Sequence, residues 1–158
     1  MKYRLLSKEQ FEALHEEFAT FLASNGIDKA AWDRIKSNDL KQVDTFLEQF
    51  SDLVWEDVLN RTQYLEHYAE QTINLFHCEP NQINRIMVQV NNTAYDLRTE
   101  EGIEWFINNS NSRFIEYLKG TKNYVNERNL ELFKLIEQGA ELSDGELFKA
   151  LGQIIQKD

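Results

Sequence analysis

The feature that most constrains this chain is a change of hydrophobic period. On either side of Ile73–Leu97 apolar residues recur every three or four positions, as helices require, but within that stretch they alternate. Ile86, Val88 and Val90 occupy every second position, so all three point to one face of a strand. Asn91-Asn92 follows, and asparagine tolerates the positive φ of a two-residue hairpin turn. With that turn, Val88 is expected to face Tyr95 and Ile86 to face Leu97, keeping both strands apolar on one side. A second turn at Glu79-Pro80-Asn81-Gln82 folds Ile73–Cys78 back, with Leu75 opposite Ile86 and Ile73 opposite Val88. The expectation is a three-stranded antiparallel meander with one apolar face. Its other face carries Phe76, Arg85 and Met87 among polar residues, either partly covered or open to a partner.

Helices are expected around this sheet. Ser7 and Gln10 make a capping box for a helix that places Phe11, Leu14, Phe18, Phe21 and Leu22 on one side and ends before Gly26. Asp28 caps a short helix burying Trp32 and Ile35, and a third begins near Leu40 and carries Val43, Phe46, Leu47 and Phe50. Ser51 either caps a fourth helix, with Leu53, Trp55 and Leu59, or lies inside one longer helix. Tyr64–Gln71 suits a helix through Leu65, Tyr68 and Thr72, or a strand through Leu65, His67 and Ala69; the helix is preferred. Thr99 caps a helix with Glu100 and Glu101 in its first turn and a stripe of Ile103, Phe106 and Ile107. Phe114–Leu118 is a short candidate strand ended at Gly120. Asn126 opens a helix closed by Gly139, and Ser143 with Glu146 opens the last, whose stripe is Leu147, Phe148, Leu151, Ile154 and Ile155. The three-residue link Ala140-Glu141-Leu142 is expected to pack these two helices side by side. No repeat, linker or low-complexity tract interrupts the chain. The reading is one α+β domain over residues 1–158, mostly helical, with N-terminal helices and a C-terminal helix pair around the meander.

Charge and cysteine content narrow the function classes. A net charge of −10 repels phosphate backbones and anionic lipid, so neither nucleic acid nor membrane is an expected partner. A single cysteine, Cys78, allows no intramolecular disulfide and fits a reducing, cytoplasmic compartment. No signal peptide or spanning segment is read at the N-terminus. The charge is uneven: five basic residues between Arg113 and Lys134 face three acidic ones, a local net of +2 and the one basic island.

Two groups of residues are candidates for chemistry. Glu12 and His15 stand three apart on a predicted helix, as in carboxylate-bridged metal bundles, and His67 with Glu70 could complete an improvised metal site. The ordinary reading of both is a solvated surface, since the chain has no second Glu-x-x-His. Lys122, Tyr124 and Arg128 lie before and within the first turn of a helix, where a cation opposes the macrodipole at a cost of about 0.5 kcal/mol. Either Glu127 or Glu131 relieves that conflict, or Arg128 and the helix N–H groups form an anion pocket. Cys78 reads as a buried filler, and no phosphate-loop, dinucleotide or nucleophile-elbow motif occurs, so no cofactor and no catalytic residue is expected.

Three stretches, KYRLLSKEQFEALHEEF, FSDLVWEDVLN with YLEH, and NERNLELFKLIEQGAELSDGELF, together resemble a family of small bacterial proteins of about this length and of unknown function. The resemblance implies a bacterial cytoplasmic protein and carries over no catalytic residue, ligand or partner. The first functional expectation is a non-catalytic protein working through protein–protein contacts, with a partner or with itself as a homodimer. The alternative is an enzyme or a small-ligand or anion-binding protein, its pocket lined by Glu12, His15 and His67 or by Lys122 and Arg128. A flat apolar patch on the N-terminal helices would favour the first, and a concave site at these residues the second.

Overall fold

The computed structural model describes residues 1–156. Among them, seven helices accompany one five-stranded antiparallel sheet, so the class is α+β. The single stretch 1–158 forms two compact units, Met1–Asn60 and a second beginning at Arg61. The division falls in the last turn of a helix, which is why no linker marks it.

The first unit holds α1 (Lys8–Ala13), α2 (His15–Ser24), α3 (Lys29–Asn38) and α4 (Leu40–Arg61). The Ser7–Gln10 capping box and the Asp28 cap form as expected. Gly26 adopts φ +77 just past α2, where the Ile27 N–H reaches back to the Leu22 carbonyl. The first expected helix is split at Leu14, whose N–H is shared between the Gln10 and Phe11 carbonyls as the last turn of α1 tightens. Residues 40–61, by contrast, form one helix. Ser51 is inside it and buried, its hydroxyl donating to the Leu47 carbonyl at 2.7 Å and accepting from Leu6 N–H at 3.1 Å. Asp52 accepts from the N–H groups of Lys2 and Tyr3, one at each carboxylate oxygen, strapping the N-terminus to α4. The aromatic residues of these helices pack on one another, with Phe50 buried and Phe11, Phe18, Phe21, Trp32 and Phe46 half-buried around it. Phe18 alone packs against Phe11, Phe21, Trp32 and Phe50 at centroid distances of 5.1–6.1 Å.

The second unit holds β1 (Tyr64–Tyr68), β2 (Thr72–Cys78), β3 (Gln82–Val90), α5 (Glu100–Asn108), β4 (Ile115–Asn123), α6 (Arg128–Glu137), β5 (Glu141–Ser143) and α7 (Glu146–Gln156). The strand order is β4-β3-β2-β1-β5. The β2–β3 hairpin has the expected register, Leu75 opposite Ile86 and Ile73 opposite Val88, closed by Glu79 N–H to the Gln82 carbonyl. Those four residues and Val90 are buried with Phe106 of α5 and Leu151 of α7, so α5 and α7 cover one face of the sheet.

Several expectations are corrected. Asn91-Asn92 does not close a hairpin: Val88 pairs with Tyr117 and Ile86 with Lys119 of β4. The intervening chain swings instead into the start of α5. Tyr95 stacks on Trp105 with centroids 4.8 Å apart, and the Asp96 carbonyl accepts from both the N–H and the hydroxyl of Thr99. Tyr64–Tyr68 is a strand, not a helix, held between β2 and β5. β4 does not end at Gly120 but runs to Asn123, because the nine residues of β3 supply a partner for each of its positions. Finally, Glu141–Ser143 is a strand on the edge of β1, not a plain link between packed helices. Ser143 caps no helix; its hydroxyl donates to Glu66 at 2.7 Å and accepts from Gly145 N–H at 2.9 Å. α6 accordingly starts at Arg128, after Glu127 and not Asn126, and lies on the sheet face opposite α7.

Candidate functional site

The second face of the sheet is where the candidate site forms. Strand alternation and the observed register place Leu65, Phe76, Arg85 and Gly120 in one row across four strands, with His67, Asn74, Met87 and Leu118 in the next. α6 covers part of this face and leaves a cleft of about 590 Å³ beside it. Phe76, Ile83, Leu135 and Ala140 give the cleft its apolar floor, and the cations Arg85, Lys122 and Lys134 stand around it. His67, Asn74, Tyr124 and Gln138 add polar edges.

Local structure fixes several of these groups. Arg85 lies along the sheet, its Nε and Nη2 donating to Asn74 Oδ1 at 2.9 and 2.6 Å and its guanidinium 5.9 Å from the Phe76 ring centre. His67 is set by the turn after α6. Gly139 there has φ +111, and a side chain on it would come within 3.2 Å of the imidazole. The Tyr124 hydroxyl donates to the Glu79 carbonyl at 2.9 Å, and burial pushes its phenol up to about 12. Lys122 and Lys134 are exposed and form no ion pair among the described residues. The one carboxylate in the cleft, Glu131, accepts from Val125 N–H at 3.3 Å through Oε1, while its Oε2 is buried without a partner. Three cations against one carboxylate is a local reversal of a chain that carries −10 overall.

The candidates named from sequence are only partly brought together. Lys122, Tyr124 and His67 line the same cleft, although His67 had been grouped with the metal candidates. Arg128 has other partners. Its Nε donates to the Glu79 carbonyl at 3.2 Å, Nη2 to the carbonyls of Thr62 and Cys78 at 2.5 and 3.1 Å, and Nη1 to Asn129 Oδ1 at 2.8 Å. The charge opposing the α6 dipole thus sits among backbone oxygens. Glu12 ends up in α1 and His15 in α2, with the helix break between them, and His15 Nδ1 lies 3.0 Å from the Glu12 carbonyl oxygen. Glu70 pairs with Arg98 at 3.0 Å. No three His, Cys, Asp or Glu side chains among the described residues are placed to hold a metal ion. Cys78 is buried, which pushes its thiol up to about 12. Sequence reasoning missed Arg85, Asn74 and Lys134 as members of one site. The signal available was the mixed Phe76–Arg85–Met87 face of the meander.

A second cleft, of about 600 Å³, lies between β1 and α5 and carries Glu66, Glu100, Glu104 and Glu141 around Arg98. Both oxygens of Glu66 are already bonded, to Ser143 and to the Tyr68 hydroxyl.

No helix among the described residues is long and apolar enough to cross a membrane. Comparisons with curated proteins and with solved structures return no match. A family model matches residues 1–156, nearly the whole chain, and carries the description "Family of unknown function (DUF6495)". The protein belongs to that family.

Proposed function

We propose that this protein binds a small organic anion in the cleft between the sheet and α6. The observation that carries the reading is the set of cations Arg85, Lys122 and Lys134 around a floor of Phe76, Ile83 and Leu135. An apolar floor with a few convergent polar groups is the usual form of a small-ligand site. The volume suits a ligand of a few rings or a short chain, its carboxylate or phosphate held by the lysines as point charges. The Arg85 guanidinium stands 5.9 Å from the Phe76 ring centre, so a planar group entering there meets both a cation and an aromatic face. The reading is one of binding; the single thiol is buried, which pushes its pKa up and argues against a cysteine nucleophile. A cytoplasmic location, where that thiol stays reduced, goes with it.

The test is thermal denaturation with phenyl phosphate, benzoate and neutral benzyl alcohol as probes. A ligand at a hundred times its Kd stabilises the folded state by about 2.7 kcal/mol, which for a chain of this size raises Tm by roughly 5–10 °C. Phenyl phosphate is expected to produce such a shift and benzyl alcohol is not. The double variant Lys122→Glu/Lys134→Glu is expected to abolish the phenyl phosphate shift while melting like the parent without ligand. Equal shifts from charged and neutral probes, or a shift that survives the charge reversal, would refute the proposal.

A further inference from the structure

The cations of the cleft fall into two stations. Arg85 of β3 lies opposite Gly120, and the rows on either side of it on this face are those of Lys122 with Ile83 and of Met87 with Asn74. Ile83 and Met87 are four positions apart on β3, so those rows are separated by about 13 Å at the usual rise. Arg85 reaches toward the Asn74 row, since its Nε and Nη2 both donate to Asn74 Oδ1. That draws its guanidinium away from Lys122. Phe76, opposite Arg85 in the register, occupies the row between. The Asn74 anchor also decides which edge of the guanidinium is left. Beyond Asn74, Nη2 has Met87 Sδ at 3.7 Å, a weak acceptor, and Nη1 donates to no group among the described residues. The outer edge, Nη1 beside Nη2, suits a carboxylate held by two parallel bonds. Nor is the charge cancelled: Asn74 is a neutral amide, and no carboxylate pairs with Arg85 among the described residues.

We propose that the ligand of this cleft is a flat dianion with an acidic group at each end, Lys122 holding one and Arg85, positioned by Asn74, gripping the other as a carboxylate. The inference rests on small-anion binding in the cleft and names the class of anion. Phe76, between the stations, offers an aromatic face to the flat middle of the ligand. Charge agrees with two acidic groups: three cations less the carboxylate of Glu131 leave the cleft at +2. Lys134 comes from the middle of α6 and stands between the stations. The start of that helix is tied to the Lys122 row, where Arg128 Nη2 donates to the Cys78 carbonyl. The turn after it reaches the Asn74 row, where Gly139 lies against His67. A guanidinium fork accepts a planar group in a fixed orientation, whereas a lysine is a point charge of adjustable reach. Separation of the two acidic groups, and not charge alone, is therefore what the cleft selects.

The probes are terephthalate, with carboxylates at opposite ends of a benzene ring, phthalate, with the same two side by side, and benzoate, with one. Calorimetric titration of the full chain at neutral pH is expected to give terephthalate a Kd about tenfold or more below those of phthalate and benzoate. In Arg85→Met the preference for terephthalate over benzoate is expected to fall to about twofold or less, and in Asn74→Ala to fall in part. Asn74→Ala added to Arg85→Met is expected to change that preference no further, a result that a role of Asn74 apart from Arg85 would not give. Phthalate binding as tightly as terephthalate would overturn the proposal, because total charge would then suffice. A terephthalate preference that survives Arg85→Met would overturn it as well. Equal binding of terephthalate and benzoate beside a phenyl phosphate shift would overturn it while leaving anion binding in place. Failure of every anion to bind, phenyl phosphate included, would refute both.

Discussion

Arg128→Met separates a structural role for this residue from an anion-binding one. The substitution keeps the aliphatic stem and removes the guanidinium that bonds the carbonyls of Thr62, Cys78 and Glu79. These three oxygens belong to the entry to β1, the last residue of β2 and the β2–β3 turn, so one side chain of α6 ties together the ends of both strands. The Glu79 carbonyl keeps the Tyr124 hydroxyl as a donor, and its loss is therefore small. Thr62 and Cys78 are both buried, and their carbonyls lose a charged donor. At about 1.5 kcal/mol for each such bond, the low end for a half-buried group, the expected loss is about 3 kcal/mol. That corresponds to a fall in Tm of roughly 6–12 °C. Arg128→Lys is expected to recover less than half, because an ammonium group cannot present the fork that reaches oxygens on two strands.

The assay is urea unfolding at neutral pH, followed by far-UV circular dichroism and by tryptophan fluorescence. Coincidence of the two curves is needed before a single free energy is quoted, since the chain forms two compact units. Stability of Arg128→Met within about 0.5 kcal/mol of the parent would refute the clamp. If that variant were also unable to bind phenyl phosphate, Arg128 would return to the anion site.

Three further outcomes follow from close contacts and from titration. Gly102→Ala drives a methyl group into the Asp96 carbonyl oxygen at the start of α5, and a loss of about 2 kcal/mol or more is expected in the same urea assay. Cys78, with its thiol pushed up to about 12 by burial, is expected to resist Ellman's reagent at pH 8 in the native protein and to react fully in urea; rapid native reaction would place it outside the core. Asp96 is held down to about 2 by hydrogen bonds from the Arg98 side chain and backbone. A depressed folded pKa means a contribution that is complete above the ordinary value of 3.8 and lost as pH falls toward 2. The stability difference between parent and Asp96→Asn is therefore expected at neutral pH and to shrink through that window, and a difference that persists at pH 2 would contradict it.

What could be read from sequence divides by whether a segment buries one face or two. Ile73–Val90 was legible because its alternation and its Glu79–Gln82 turn agree, and one apolar face fixes the register. Tyr64–Tyr68 was not, because Leu65 is buried on one face and Tyr68 packs on the other, which erases the period of two. β4 hid for the opposite reason. As an edge strand it exposes most of its side chains, so nothing in Lys119-Gly120-Thr121-Lys122 reports a ladder that its partner β3 imposes. The cleft was illegible as a whole because its cations come from β3, β4 and α6, and only the sheet register brings them together. Arg128 is the instructive case. A cation in the first turn of a helix is a local conflict, and such conflicts call for compensation elsewhere in the fold. To a guanidinium, however, a bound anion and a set of carbonyl oxygens are alike, since both are acceptors for the same fork of N–H groups. The conflict pointed to the right residue, and only the positions of Thr62, Cys78 and Glu79 show which acceptors answer it.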